Sequence, residues 1–144
     1  MPAVLAKILE WAPEYSVHVV EIDREHQTLF SVINRLHEAM LAGEGTEVLA
    51  TILAEMTQYT LYHFANEERL MDAVHYPGLR AHAQEHDELR RRVRAFGERF
   101  ERGESTMTIE LTLFLSAWIK QHLMTTDCRL GDAIMHRGIQ EKGA

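Results

Sequence analysis

The sequence predicts an all-α protein: an antiparallel up-down four-helix bundle with an N-terminal arm and a short C-terminal helix after a break near Thr126. Three observations predict this class. Apolar residues recur at spacings of three and four in four long segments, no stretch alternates with period two over a useful length, and the links are short. We expect a single domain over residues 1–144, with an arm at 1–21 and helices at about 23–42, 46–73, 79–102, 106–124 and 128–137.

The first helix is predicted from a capping signal and a glycine stop. Ile22 and Asp23 resemble an N′ and N-cap pair, in which the Asp23 carboxylate accepts hydrogen bonds from the first free amides of the helix. Apolar residues then keep a helical period from Leu29 to Met40. The Gly43-Glu44-Gly45 stretch ends the helix.

A turn at Tyr76-Pro77-Gly78 separates the second predicted helix from the third. The second helix begins near Thr46, and the third runs from about Leu79 until Gly103 closes it. Polar residues interrupt the inward stripes of both helices at one level. The stripe of the second helix is Ile52, Met56, Tyr59, His63, Glu67 and Leu70, and that of the third is His82, His86, Leu89, Val93, Phe96 and Phe100.

The fourth helix begins after Ser105 and is predicted to turn Leu111, Leu115, Trp118 and His122 inward. Asp127 follows His122 by five residues, which on a regular helix is about 140° around the axis. Asp127 therefore reaches the face of His122 only if the helix breaks or bulges between them. We interpret Thr125-Thr126-Asp127 as a break, with Asp127 capping a short following helix. Spacing alone does not assign Asp127 to a site.

Composition excludes several classes of function. The formal charge of -7 argues against non-specific nucleic-acid binding, which depends on basic patches. No apolar run approaches the roughly 20 residues that span a bilayer, and the N-terminus lacks the pattern of a signal peptide. Cys128 is the single cysteine, so no disulfide forms within the chain and a reducing compartment fits. We expect a cytoplasmic protein that binds neither nucleic acid nor membrane, with no protein partner assigned.

Histidines on all four helices are predicted to face one level of the bundle interior. His63 and Glu67 continue the apolar face of the second helix, His82 and His86 that of the third, His122 that of the fourth, and His26 precedes Leu29 by three residues on the first. Buried imidazoles and a carboxylate this close together are costly unless a cation coordinates them. The pattern predicts a metal site.

The number of inward ligands argues for two ions. Five histidines and Glu67, with Asp127 as a seventh if the helix breaks or bulges before it, are too many for one tetrahedral zinc, whereas two ions bridged by the carboxylates use all seven. Five histidines divide into three and two, which leaves one ion with an open position. Imidazole and carboxylate suit iron, although zinc, copper and nickel also accept them.

Four segments carry a resemblance that covers nearly the whole chain. They are WAPEYSVHVVEIDREHQTLF at 11–30, YHFANEERLM at 62–71, YPGLRAHAQEH at 76–86 and WIKQHLMTTD at 118–127. In order and spacing they resemble the hemerythrin family in its bacterial single-domain form. The resemblance implies a four-helix bundle whose non-haem di-iron centre binds dioxygen reversibly at one iron, for oxygen storage, delivery or sensing.

The resemblance also implies roles for individual residues. His82, His86 and His122 would hold the coordinatively saturated iron, and His26 with His63 the iron that keeps an open position. Glu67 and Asp127 would bridge both irons together with a hydroxide. An apolar pocket would exclude water and protons, so that oxygen leaves again; it would consist of Leu29, Phe64, Trp118, Ile119 and Leu123.

Two other functions compete with oxygen binding. One is a di-iron enzyme acting as an oxidase, a peroxidase or a nitric oxide-handling catalyst, which leaves nitric oxide as a second candidate ligand. The chain contains no Glu-x-x-His motif, which disfavours ferritin-like oxygenase chemistry. The other is a metal-dependent phosphohydrolase, suggested by His86-Asp87, but Asp87 points off the core stripe. We therefore expect a binding protein rather than an enzyme.

Several residues near the motifs are expected to be structural. His18 in the arm is interpreted as exposed or capping, although it departs from the family pattern, and Cys128 as a buried inert thiol. Leu130 stands where the family often has an aromatic residue, which affects packing around Asp127. The remaining histidines are predicted to lie outside the site: His37 as partly buried, His75 in a loop and His136 in the tail.

Overall fold

Four long helices pack in a ring, each against its two neighbours in sequence order and α4 back against α1. The computed structural model describes residues 7–104 and 107–143, with side chains described up to His136. The helices are α1 (Val20–Leu41), α2 (Thr46–Ala73), α3 (Leu79–Glu101), α4 (Met107–His122) and α5 (Cys128–Gly143). Within the described ranges there is no strand, and the predicted all-α four-helix bundle with a C-terminal helix is confirmed. None of the described helices is long and apolar enough to cross a membrane.

Helix α1 begins at Val20, three residues before the predicted start, so Asp23 lies in its first turn and does not cap it. The Asp23 carboxylate instead accepts hydrogen bonds from the Ser16 hydroxyl at 2.6 Å and the Val17 backbone N–H at 2.8 Å. The prediction of an N-cap at Asp23 is therefore wrong. An acidic side chain in the first turn complements the helix dipole, and here it also ties the preceding arm to the helix.

The arm lies against α1 and contains a short 3-10 turn, Pro13–Tyr15. The buried Asn34 side chain pins it by accepting from the Leu9 N–H at 2.9 Å and donating to the Leu9 carbonyl at 2.8 Å. Trp11, Tyr15 and Phe30 form an aromatic cluster with ring centroids 5.4–5.9 Å apart. Residues 1–6 of the predicted arm and the predicted start of the fourth helix at 106 lie outside the described residues.

Three helices end in the same hydrogen-bonding motif, in which the residue after the cap adopts a left-handed conformation. After α1 this residue is Gly43 (φ 70°), and after α3 it is Gly103 (φ 79°). After α2 it is His75 (φ 53°), where a side chain is disfavoured. The His75 N–H donates to the Asp72 carbonyl and the Tyr76 N–H to the Met71 carbonyl, both close to 3 Å.

The predicted break after α4 is a π-helical turn, Leu123–Asp127, that joins α4 to α5 without interruption. The backbone is helical at both flanking residues, His122 (φ -62°, ψ -45°) and Cys128 (φ -61°, ψ -41°). Asp127 is therefore not the cap of a new helix. Of the two ways in which Asp127 could reach the face of His122, the chain uses the bulge.

Candidate metal centre

All seven residues predicted to face inward at one level lie together in the bundle interior. Each is at most 2 % exposed. The two carboxylates, Glu67 from α2 and Asp127 from the π turn, lie at the middle of the cluster. Around them are the imidazoles of His26, His63, His82, His86 and His122, each with its Nε2 atom turned towards a carboxylate.

Three of the imidazoles form one group on one side of the carboxylates. Glu67 Oε1 lies 3.2 Å from His82 Nε2 and 3.1 Å from His86 Nε2. Asp127 Oδ1 lies 2.9 Å from both His82 Nε2 and His122 Nε2. Five possible ligand atoms thus converge within 4.8 Å of one another.

The other two imidazoles face the second oxygen of each carboxylate. Glu67 Oε2 lies 3.3 Å from His63 Nε2 and 3.5 Å from His26 Nε2. Asp127 Oδ2 lies 2.9 Å from His26 Nε2. Both carboxylates therefore present one oxygen to the three-histidine group and one to the two-histidine group.

Many of these close atoms make no hydrogen bond to any residue that the structure describes. They include both oxygens of Asp127, Glu67 Oε2, and the Nε2 atoms of His26, His86 and His122. Buried polar atoms without partners are costly, and native structures rarely keep them. Imidazole nitrogens and carboxylate oxygens that converge on a shared space fit the ligand set of a transition metal ion on each side of the carboxylates.

For two imidazoles, burial lowers the pKa and the neighbouring carboxylates raise it by more. Burial lowers the pKa of His63, but the charge of Glu67 and the hydrogen bond to Glu25 outweigh burial and raise it to about 10. Burial also lowers the pKa of His82, and Asp127 with Glu67 raises it to about 9. Without a cation, protons on such imidazoles balance the charge of the cluster.

The two carboxylates stay ionised for the reciprocal reason. Burial raises the pKa of Glu67, but His63 and the other imidazoles hold it well below its usual range. Burial and the charge of Glu67 both raise the pKa of Asp127, yet His122 and His26 outweigh them and the net pKa is lowered. The cluster thus has the charge distribution that a bound cation complements.

Two aromatic rings orient imidazoles of the three-histidine group. The Phe64 ring stacks on His86 with centroids 3.7 Å apart and planes 5° from parallel. Trp118, which is half-buried, stacks on His122 at 4.4 Å and 16°. These contacts restrict rotation of the imidazoles about their Cβ bonds.

A small, partly open apolar cavity of about 10 Å³ lies among the helices beside the cluster. Four of the five predicted pocket residues line it, namely Leu29, Phe64, Trp118 and Ile119; Leu123 is buried in the π turn and does not. The other lining residues were not predicted from the sequence; they are Ile33, Met56, Thr60, Leu89 and Leu115. Thr60 is the only hydroxyl-bearing residue among them, and its hydroxyl donates to the Met56 carbonyl at 2.7 Å.

Glu25 and Glu85, neither of them predicted as a site residue, contact imidazoles of the cluster from outside. Glu25 Oε1 accepts from His63 Nδ1 at 2.7 Å, and Glu85 Oε1 lies 3.4 Å from His122 Nδ1. Glu25 is three residues after the buried Ile22, a helical spacing that places it on the inward face of α1. That spacing is the signal that identifies it.

The other predicted structural residues lie outside the cluster. His18 is exposed with φ 63°, and its backbone N–H donates to the Ser16 hydroxyl at 3.1 Å. Cys128 is half-buried rather than fully buried, and Leu130 is completely buried. The remaining histidines are half-buried (His37) or exposed (His75 and His136).

Comparison with known proteins gives one consistent result. A family model described as hemerythrin HHE cation binding domain matches residues 17–134. A bacteriohemerythrin from Pseudomonas aeruginosa is 35% identical over 128 residues, covering 89% of this chain and 82% of that protein. A bacteriohemerythrin from Methylococcus capsulatus is 28% identical, covering 88% and 97%. A crystal structure of wild-type hemerythrin superposes with a TM-score of 0.82 at 27% identity, covering 88% of this chain and 97% of that one.

Proposed function

This chain belongs to the hemerythrin family, and on that premise we propose that it binds dioxygen reversibly at a non-haem di-iron centre. The observation that carries the proposal is the division of the carboxylate oxygens. Glu67 and Asp127 each face three imidazoles with one oxygen and two imidazoles with the other. Such a set suits two ions that share both carboxylates.

In this proposal each side chain has a stated role. His82, His86 and His122 would hold one iron, and His26 and His63 the other. Glu67 and Asp127 would bridge the two, together with a hydroxide. The iron held by His26 and His63 would have one protein ligand fewer, and we propose that dioxygen binds at the position that this leaves open. When bound, the iron pair supplies the electrons that dioxygen takes up reversibly.

The residues of the apolar cavity would control what reaches that position. Leu29, Phe64 and Ile119 are at most 5 % exposed and give the cavity an apolar lining, which would disfavour water there. The hydroxyl of Thr60 is occupied by its own helix and does not wet the lining. A dry lining favours release of dioxygen over loss of reduced oxygen species and oxidation of the iron.

The size of the cavity supports a binding protein over an enzyme with an organic substrate. About 10 Å³ is near the minimum that holds one water molecule, so the cavity is too small for an organic substrate and suits only a very small ligand. Dioxygen is the ligand that we propose, and nitric oxide is the competing diatomic molecule.

The test is a visible absorption spectrum of anaerobically reduced, iron-loaded protein through cycles of oxygen and argon. We expect a colourless reduced form that gains a ligand-to-metal charge-transfer band under oxygen and loses it under argon over repeated cycles. A band that decays irreversibly with release of peroxide would move the protein to the enzyme class. Absence of any band would overturn the proposal.

A further inference from the structure

The Nδ1 atoms of the five imidazoles differ greatly in their hydrogen bonds, and the shortest of these bonds belongs to His63 of the two-histidine group. Each imidazole turns Nε2 towards the carboxylates and Nδ1 away from them. We propose that Glu25, held in place by Asn66, is the positioning residue of the two-histidine half and determines how tightly that half retains its metal ion. This inference rests on the proposed di-iron function.

The bond between His63 and Glu25 is short, buried and unambiguous in direction. His63 Nδ1 lies 2.7 Å from Glu25 Oε1, and the two side chains are 1 % and 7 % exposed. A carboxylate accepts but does not donate, so Nδ1 carries the proton. When a metal ion displaces the proton from Nε2, the lone pair of Nε2 faces the cluster while Nδ1 stays protonated, which is the tautomer that a metal ligand needs.

The second oxygen of Glu25 is fixed by an amide whose orientation is itself determined. Asn66 Nδ2 donates to Glu25 Oε2 at 2.5 Å and to Glu21 Oε1 at 3.0 Å. Arg69 Nη2 donates to Asn66 Oδ1 at 2.6 Å. A flipped amide would turn its oxygen towards two carboxylates and its N–H groups towards a guanidinium, so only the observed orientation satisfies all three partners.

The network therefore leads from a buried imidazole to the protein surface. Glu25 and Asn66 are buried, whereas the side chains of Arg69 and Glu21 are 62 % and 52 % exposed and lie 3.6 Å apart. The exposed pair contributes little stability by itself. Its role in the network is to fix the Asn66 carbonyl and amide at the outer end of the chain of hydrogen bonds.

The other four imidazoles have no comparable partner among the described residues. The Nδ1 atoms of His26, His82 and His86 make no hydrogen bond, and Glu68 Oε1, which lies 4.0 Å from His86 Nδ1, is beyond hydrogen-bond distance. His122 Nδ1 has a contact of 3.4 Å to Glu85, whose side chain is 43 % exposed. At that length, and with access to water, this hydrogen bond is weak.

The number of imidazoles in each group explains why the short His63–Glu25 bond matters most on the two-histidine side. Each of the three imidazoles in the larger group has two others to keep the ion in place, whereas the smaller group has only His26 and His63. Losing the orientation of His63 removes half of the imidazole ligation on that side. Hydrogen-bond partners of metal-binding histidines change metal affinity by about 10–100-fold when removed, and the smaller group has the least redundancy.

The experiment is an anaerobic titration of metal-free protein with Fe(II) against a competing chelator, for the wild type and four variants. Glu25→Ala removes the partner of His63. Glu25→Gln keeps an acceptor for His63 but sets an amide N–H against the N–H of Asn66. Glu25→Gln combined with Asn66→Asp restores a donor facing an acceptor; this double variant is made in a Glu21→Gln background, because a carboxylate at position 66 would otherwise face that of Glu21. Glu85→Gln is the matched control at the other outer carboxylate.

For Glu25→Ala we expect one of the two Fe(II) ions to bind about 10–100-fold more weakly, with the other within about threefold of wild type. Glu25→Gln should weaken the same ion by about tenfold, and the double variant should recover at least half of that loss on a logarithmic scale. Glu85→Gln should leave both ions within about threefold of the wild type. Equal weakening of both ions, no effect at Glu25, or no recovery in the double variant would overturn the inference.

A second readout does not depend on iron or on oxygen. Nitrogen NMR of zinc-loaded protein should show His63 bound through Nε2 with a proton on Nδ1, and Glu25→Ala should lose that Nδ1–H signal. Persistence of the signal would contradict the role of Glu25. If wild-type protein binds two ions but shows no oxygen-dependent band, the proposed function fails while the inference about Glu25 is still decided by the titration.

Discussion

The two ends of the bundle are built from the same four helices but have opposite interiors. At the end of the bundle far from the metal cluster, called the distal end below, Leu36, Met107 and Leu111 are fully buried among other apolar side chains. At the other end seven ionisable side chains are equally buried. Burial of apolar surface favours folding, whereas burial of charge opposes it unless the charge is compensated. The distal end therefore stabilises the fold, and the polar end depends on that stability to hold its ligands in place without metal.

The largest expected effect comes from a substitution at the polar end that should remove oxygen binding and leave the fold unchanged. His26→Leu removes one of the two imidazoles of the smaller group, so we expect oxygen binding to be abolished. The helical content of the metal-free variant should equal that of the wild type, because the distal core is untouched. Visible absorption under oxygen and far-ultraviolet circular dichroism measure the two outcomes.

The matched control for His26→Leu is His37→Leu, on the same helix but outside the cluster. It should keep the oxygen-dependent band. Reversible oxygen binding by the His26 variant would remove His26 from the proposed ligand set, and loss of helicity would show that the polar end contributes to folding.

A substitution at the distal end should have the opposite result, a loss of stability with no change in metal binding. Leu111 is completely buried, so Leu111→Ala should lower the free energy of unfolding by about 3 kcal/mol through lost burial and the cavity that remains. The number of Fe(II) ions bound should stay at the wild-type value while the variant remains folded. Denaturant unfolding and iron titration measure the two quantities, and a fall in iron content below the unfolding midpoint would show that the ends are coupled.

A smaller effect is expected where α5 meets the arm. A Cβ added at Gly131 would lie 2.2 Å from the Val17 carbonyl oxygen, so Gly131→Ala should destabilise the protein by about 2 kcal/mol through overpacking against backbone. Gly97→Ala is the control, since a Cβ there meets nothing within 4 Å, and this substitution within α3 should stabilise by about 0.5–1 kcal/mol. Thermal unfolding of both variants tests the pair, and shifts of the same sign would contradict the assignment.

The smallest expected effect is at the turn after α2. His75 occupies a left-handed conformation at φ 53°, which costs a residue with a side chain about 1 kcal/mol relative to glycine. His75→Gly should therefore raise the free energy of unfolding by about 0.5–1 kcal/mol, the reverse of the usual effect of glycine. Because His75 is exposed and outside the cluster, iron binding should not change. A lower unfolding midpoint in denaturant would show that the imidazole makes a compensating contact.

Helical periodicity is what made the fold class and the inward histidines predictable from the sequence. The spacing of His63 and Glu67, and of His82 and His86, relates them to apolar positions on the same helix face, and those faces meet in the bundle. The fold class is confirmed, while the assignment of individual residues as iron ligands stays a prediction.

The sequence did not predict features that depend on contacts between segments. Asp23 has the composition of an N-cap, but its partners Ser16 and Val17 belong to the arm and are visible only in three dimensions. Glu25 belongs to a residue type that is rarely buried, so its charge argues for the surface although its spacing from Ile22 places it on the inward face of α1. A bulge and a break after His122 are equally compatible with the spacing to Asp127, and only the backbone distinguishes them.

The π turn between His122 and Asp127 adds one residue to the helix without changing the direction in which the chain continues. A π turn holds more residues than an α turn, so five residues complete nearly the rotation that four complete in a regular helix. The extra residue is absorbed where it lies, and the segment beyond it continues as though none had been added.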